Sequence, residues 1–238
     1  MEKPLKRFES KHYIFYFAEG TKAERDIASI AAYQEGCFRH ICRVLRITPA
    51  FKITYFLCAS PEEVGRIYGD NEPCNGFAAP PSTIYAVYNE RVQCIGFHED
   101  AHLISYVINR PDCPALREGL AMYFDRKWWG IPNLAWTGYY LKTGRYLPVN
   151  RLLDKEFFFS QDCAVTYPIM GAFTDWLIIA YGIDNFLDMY RRQDMEKAMK
   201  RTYCKSPEEL NRDFVNSVRL THIDHITVRE METKLAET

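Results

Sequence analysis

Every strand-like segment of this chain falls within its first ninety residues, and from about Arg91 onward the apolar spacing is helical. That segregation predicts an α+β fold, a small mixed sheet packed with a helix and followed by a mostly helical part. His12 to Phe17 is β-branched and aromatic and reads as a strand, as do Phe51 to Leu57 and Thr83 to Tyr88. Thr21 and Glu24 have the spacing of a capping box, in which hydroxyl and carboxylate satisfy free N–H groups at a helix start. Behind them Ile27, Ile30, Ala31, Phe38, Ile41 and Leu45 recur every three to four residues, interrupted only by Gln34, which predicts one long amphipathic helix to about Arg46. Ser60-Pro61-Glu62-Glu63 opens a short helix to about Tyr68. Residues 69–82 hold two glycines, three prolines and two asparagines and read as a long loop. Further helices are expected over 93–109, 115–127, 168–181, 184–192 and 207–219, the last again opened by a capping box, Ser206-Pro207-Glu208-Glu209.

Composition removes several classes of function. Thirty basic residues against thirty-one acidic ones leave a formal charge of −1, so binding to nucleic acid or to an anionic membrane through bulk charge is not expected. No apolar run approaches the roughly 20 residues that span a bilayer. The opening Met1 to Arg7 has basic residues without an apolar block behind them, unlike a signal peptide. The eight cysteines are scattered, with no CxxC pair, and are expected to be reduced thiols in the cytoplasm.

One motif carries chemistry: His98-Glu99-Asp100-Ala101-His102, an HExxH. Residues i and i+4 share a helix face, so both imidazoles can reach one ion, while Glu99 between them is placed to take a proton from a water beside it. A catalytic zinc ion usually takes three protein ligands. Beyond a break at Pro111 and Pro114, Glu118 stands near the start of the next expected helix and is the candidate third ligand, followed by small residues that permit close packing. The organisation expected is residues 1–110, sheet and HExxH helix, then residues 111–238, helical and carrying the third ligand, in one compact catalytic unit.

HExxH followed by Glu118-Gly119-Leu120-Ala121-Met122-Tyr123 resembles the gluzincin branch of zinc metallopeptidases, which includes thermolysin. Tyr167 to Phe173 with Trp176 and Leu177, and Ser206 to Leu210 with Phe214, are similar to the helices that follow the zinc site in compact domains of that group. The resemblance implies a zincin-like fold and a Zn²⁺ ion held by His98, His102 and Glu118. It further implies hydrolysis of a peptide or protein substrate with Glu99 as general base, Tyr167 as a candidate oxyanion stabiliser, and an edge strand at 83–88 that pairs with extended substrate. Two positions depart from the family's pattern: Asp100 is charged between the glutamate and the second histidine, and Met122 stands where thermolysin-like enzymes have a bracing aspartate. Asp100 or Asp125 is left to supply that brace. A metal-binding domain of this fold with little or no turnover, and a zinc hydrolase of another amide or ester, are the alternatives.

Other features have plainer readings. His222 and His225 are expected on the surface rather than in a second metal site. Trp128, Trp129, Trp136, Tyr139, Tyr140 and Phe157 to Phe159 are expected to pack between helices. Lys197, Lys200, Arg201 and Lys205 read as a solvated helix face.

Overall fold

A computed structural model describes residues 4–237, so the reading of Met1 to Lys3 lies outside the described residues. The chain is mixed α and β and divides into two compact units, Met1–Val107 and Ile108–Thr238.

The first unit runs β1 (Leu5–Glu9), β2 (Tyr13–Ala18), α1 (Lys22–Leu45), β3 (Ile53–Cys58), α2 (Pro61–Tyr68), β4 (Gly76–Ala79), β5 (Thr83–Val87) and α3 (His98–Ser105). The strands form one sheet in the order β1-β2-β3-β5-β4. β2, β3 and β5 are mutually parallel, which requires crossovers, and α1 and α2 provide them. β1 and β4 are antiparallel to their neighbours and form the two edges.

Alternation sorts the strand side chains onto two faces. Tyr13, Phe15, Phe17, Ile53, Tyr55, Ile84 and Ala86 are buried on one, with Tyr13 meeting Phe38 of α1 edge-on at 5.9 Å. On the other, Tyr16, Phe56, Tyr85 and Phe77 stack ring on ring across four strands at 5.1, 4.9 and 5.1 Å. Val64 of α2 closes that face, buried with Cys58 and Val87. Burying an aromatic or aliphatic side chain contributes about 1.5–3 kcal/mol, so these two layers are the main stabilising force of the unit.

Two expectations change here. The strand at 83–88 is not an edge: β5 lies between β3 and β4. The open edge is β4, inside the stretch expected to be all loop.

The second unit comprises α4 (Pro114–Asp125), the short hairpin β6 (Lys127–Trp128) and β7 (Ile131–Pro132), α5 (Asn133–Thr143), α6 (Val149–Leu152), α7 (Lys155–Phe159), α8 (Cys163–Tyr181), α9 (Ile183–Tyr190), α10 (Met195–Tyr203), α11 (Pro207–Val218) and α12 (His225–Ala236). α8 is central, packing against α4, α5, α6 and α9. Its nineteen residues hold a single charge, Asp175, and it is the one described helix long and apolar enough to cross a membrane. Of that apolar window 61% is buried within the fold, so its apolarity is accounted for by core packing. Trp136, Tyr140, Ile169, Phe173, Phe186 and Phe214 have no exposed surface; of the aromatic residues expected to pack between helices, Trp136, Tyr139, Tyr140 and Phe158 are buried, whereas Phe159 is 62% exposed and faces solvent.

Glycine sets the approach of α4 to α8. A Cβ on Gly119 would lie 2.7 Å from Thr174 Oγ1 and 2.9 Å from the Met170 carbonyl oxygen. One on Gly171 would lie 2.6 Å from Met122 Cβ. The small residues after Glu118 therefore serve packing on α8. All eight cysteines are free.

Candidate metal centre

The HExxH segment forms a helix shorter than its spacing predicts, eight residues instead of seventeen. Gly96 holds a φ of +135°, a conformation open to glycine and hostile to helix continuation, so the chain enters α3 abruptly and without a side-chain cap. α3 packs against α1 and β4, and six of its residues, Asp100 to Ser105, are buried. His98 and Glu99 in the first turn are half-buried.

The two imidazoles share one face as the i, i+4 spacing requires, with ring centroids 5.1 Å apart and planes at 81°. Glu118 lies in the second turn of α4 and is half-buried. One ligand atom each from His98, His102 and Glu118 lie within 4.8 Å of one another. An ion that holds such donors at about 2.0–2.2 Å needs its ligand atoms roughly 3.3–3.5 Å apart, a gap that small side-chain rotations close. Two imidazoles and one carboxylate are a donor set that fits a first-row divalent ion, zinc among them. His, Cys, Asp and Glu side chains form no other such group among the described residues. His222 and His225 belong to none, and Asp224 between them caps α12 by accepting from the Ile226 and Thr227 N–H groups.

Asp100 is wholly buried, and its role is to anchor the helix. Its Oδ2 meets the Tyr13 hydroxyl of β2 and accepts from Gln34 Nε2 of α1 at 3.1 Å. The same amide nitrogen donates to the Gly96 carbonyl at 3.1 Å, and the Tyr13 hydroxyl to the Gln34 carbonyl at 3.0 Å. Tyr13 has only one proton for its two acceptors. The Tyr13 hydroxyl therefore stands between the Asp100 carboxyl and the Gln34 carbonyl oxygen with a single proton to give. Burial pushes the Asp100 carboxyl well above its ordinary range against the opposing hydrogen bonds from Tyr13 and Gln34. Asp100 is thus a buried carboxyl that ties β2 and α1, the two walls of the first unit, to α3.

That assignment settles one of the two bracing candidates. Both Asp100 oxygens are accounted for, Oδ2 by Tyr13 and Gln34 and Oδ1 with no hydrogen-bond partner, so Asp100 does not brace an imidazole. Met122 is buried, with its carbonyl accepting from Asn133 Nδ2 at 2.8 Å. Asp125 is half-buried at the end of α4. Tyr167 is half-buried on α8, its ring edge-on to Trp128 at 5.6 Å and stacked with Phe158 at 6.1 Å.

Sequence reasoning missed the partners of Asp100, although the signal was present. Gln34 is the single polar interruption of the apolar stripe on α1, and a buried amide implies a buried polar partner. It also missed β4, the strand that lies against α3.

Compared with known proteins, the sequence matches no family model and no curated protein.

Proposed function

We propose that the chain is a zinc-dependent peptidase of gluzincin type with a zincin-like fold, acting on a peptide or protein substrate. The observation that carries this reading is the convergence of His98, His102 and Glu118 ligand atoms to within 4.8 Å, with Glu99 in the same helical turn as the first histidine.

When bound, a zinc ion would supply Lewis-acid chemistry, lowering the pKa of a water towards ~7 and polarising a carbonyl oxygen. His98 and His102 hold it from one helix face, and Glu118 supplies the carboxylate. Glu99 accepts the proton of the attacking water and returns it to the leaving amine, so one carboxylate serves as base and then as acid. An extended substrate pairs along β4, whose outer edge has no strand partner among the described residues, and this backbone recognition tolerates varied sequence. Tyr167 donates its phenolic O–H to the oxygen that becomes negative during attack. Free thiols throughout support a cytoplasmic setting.

Glu99→Gln tests the assignment. The variant is expected to retain stoichiometric zinc by elemental analysis and to lose cleavage of a broad peptide library. Wild-type turnover in Glu99→Gln would remove Glu99 from the mechanism. His102→Ala is expected to lose the metal itself.

One observation favours a second reading, a metal-stabilised domain without turnover. Met122, where a bracing aspartate stands in thermolysin-like enzymes, is packed into the α4–α8 contact and offers no carboxylate to orient a histidine. No cleavage of peptide, simple amide or ester substrates by fully zinc-loaded protein would select that reading; cleavage of amides or esters alone would select a non-peptide hydrolase.

A further inference from the structure

The second unit carries an open cavity of about 430 Å³ built from α4, the β6–β7 hairpin, α5, α8 and α11. That volume lies in the range of small-molecule sites, which are mostly apolar with a few convergent polar groups. Leu134, Ala172, Trp176, Ile179 and Phe214 supply an apolar lining. Two of them face water in part: Leu134 is 44% exposed and Ile179 is 77% exposed. A single exposed aliphatic side chain is ordinary, but two lining one concavity mark a surface that an apolar body would cover.

Charge on the lining chooses the kind of body. The ionic groups there are Arg126, Lys127 and Asp175. Arg126 pairs with Asp175 at 2.6 Å and lies over the Tyr123 ring at 4.3 Å, so those two charges balance and the guanidinium is held in place. Lys127 is exposed and has no ion-pair partner among the described residues. An apolar cavity with one uncompensated cation is complementary to a molecule with an apolar body and a single negative head.

We propose that this cavity binds a small free monocarboxylate, its aliphatic or aromatic body against Leu134, Trp176 and Ile179 and its carboxylate beside Lys127. No residue of the metal triad takes part, so occupancy does not depend on the ion.

Octanoate, octylammonium and propionate serve as probes in calorimetric titrations of the full chain, zinc-loaded and after chelation. Octanoate is expected to bind about tenfold or more tighter than the other two, equally in both forms of the protein. Lys127→Glu is expected to weaken octanoate about tenfold and to favour octylammonium. Ile179→Asp is expected to weaken octanoate similarly, by adding a like charge and removing apolar contact. Both positions are exposed, so circular dichroism and the melting temperature stay at wild-type values. The proposal is overturned if octanoate and octylammonium bind alike, if none of the probes binds at millimolar concentration, or if Lys127→Glu changes nothing. Loss of octanoate binding on chelation would place the carboxylate at the metal and equally overturn it. So would self-association of the chain abolished by Ile179→Asp, since the face would then be a contact between copies.

Discussion

Gly119→Ala and Gly36→Ala are the same substitution in two helices, and the structure predicts opposite outcomes. Replacing an interior helical glycine by alanine favours the helix by about 0.8–1 kcal/mol. At Gly36 in α1 nothing lies within 4 Å of the added Cβ, so that gain stands unopposed. At Gly119 in α4 the Cβ would sit 2.7 Å from Thr174 Oγ1 and 2.9 Å from the Met170 carbonyl oxygen, distances that real Cβ contacts do not reach. Overpacking costs about 1–3 kcal/mol, and a clash with the backbone of a buried helix belongs at the upper end. The balance is a loss of about 2 kcal/mol for Gly119→Ala and a gain of about 1 kcal/mol for Gly36→Ala. At about 2–4 °C per kcal/mol, the melting temperature should fall about 4–8 °C in the first and rise about 2–4 °C in the second. The relief available to α4 is to back away from α8 by several tenths of an ångström, carrying the neighbouring Glu118 with it. Metal sites tolerate about ±0.2 Å, so Gly119→Ala should also lower zinc affinity about tenfold, measured by competition with a chromophoric chelator. Gly36→Ala should leave zinc affinity unchanged. Wild-type melting and zinc binding in Gly119→Ala would refute the packing account, and destabilisation in Gly36→Ala would refute the reasoning for both.

Asp100→Ala removes the acceptor of the Gln34 amide and the partner of the Tyr13 hydroxyl, and should destabilise the fold by about 2–4 kcal/mol in denaturant titration. Asp100→Asn keeps the shape and forfeits at most one hydrogen bond, so it should cost about 1 kcal/mol; equal losses in the two would refute the anchoring role of these hydrogen bonds. The Asp224 carboxyl is lowered to about 2 by the N–H groups and hydroxyl that it caps. Because the folded value lies below the ordinary 3.8, the cap is fully formed above that pH and is lost as pH falls through about 2. The Ile226 and Thr227 amide resonances should therefore titrate with a midpoint near 2, and a midpoint at the ordinary carboxylate value would contradict the cap. Zinc at a hundredfold over its dissociation constant should stabilise the chain by about 2.7 kcal/mol, and the gain should vanish in His102→Ala.

The sequence exposed the candidate centre because its three ligands lie close together along the chain and their spacing is a local helical property. It also exposed β2, β3 and β5, whose β-branched and aromatic runs are intrinsically strand-forming. β1 and β4 were hidden for physical reasons. Leu5-Lys6-Arg7-Phe8-Glu9 carries charges suited to an exposed edge, and Gly76-Phe77-Ala78-Ala79 has little strand propensity and is held by pairing to β5. Strand order is a tertiary fact, so nothing local to β5, the strand nearest α3 in sequence, shows that β4 lies outside it. The length of α3 turned on one backbone angle at Gly96, which composition does not encode. The role of Asp100 is hidden for a related reason: its burial against Tyr13 and Gln34 depends on elements distant in sequence.

His98, His102 and Glu118 all lie in the first half of this sequence, with only nineteen positions between first and last. Closing so short a loop costs little entropy, since each doubling of its length adds only about 0.6 kcal/mol. If the chain binds zinc as proposed, a denatured or half-synthesised polypeptide would already hold all three ligands. Capture would then begin while α5 to α12 are still being translated, and the ion would organise the α3–α4 segment early as well as complete the finished protein.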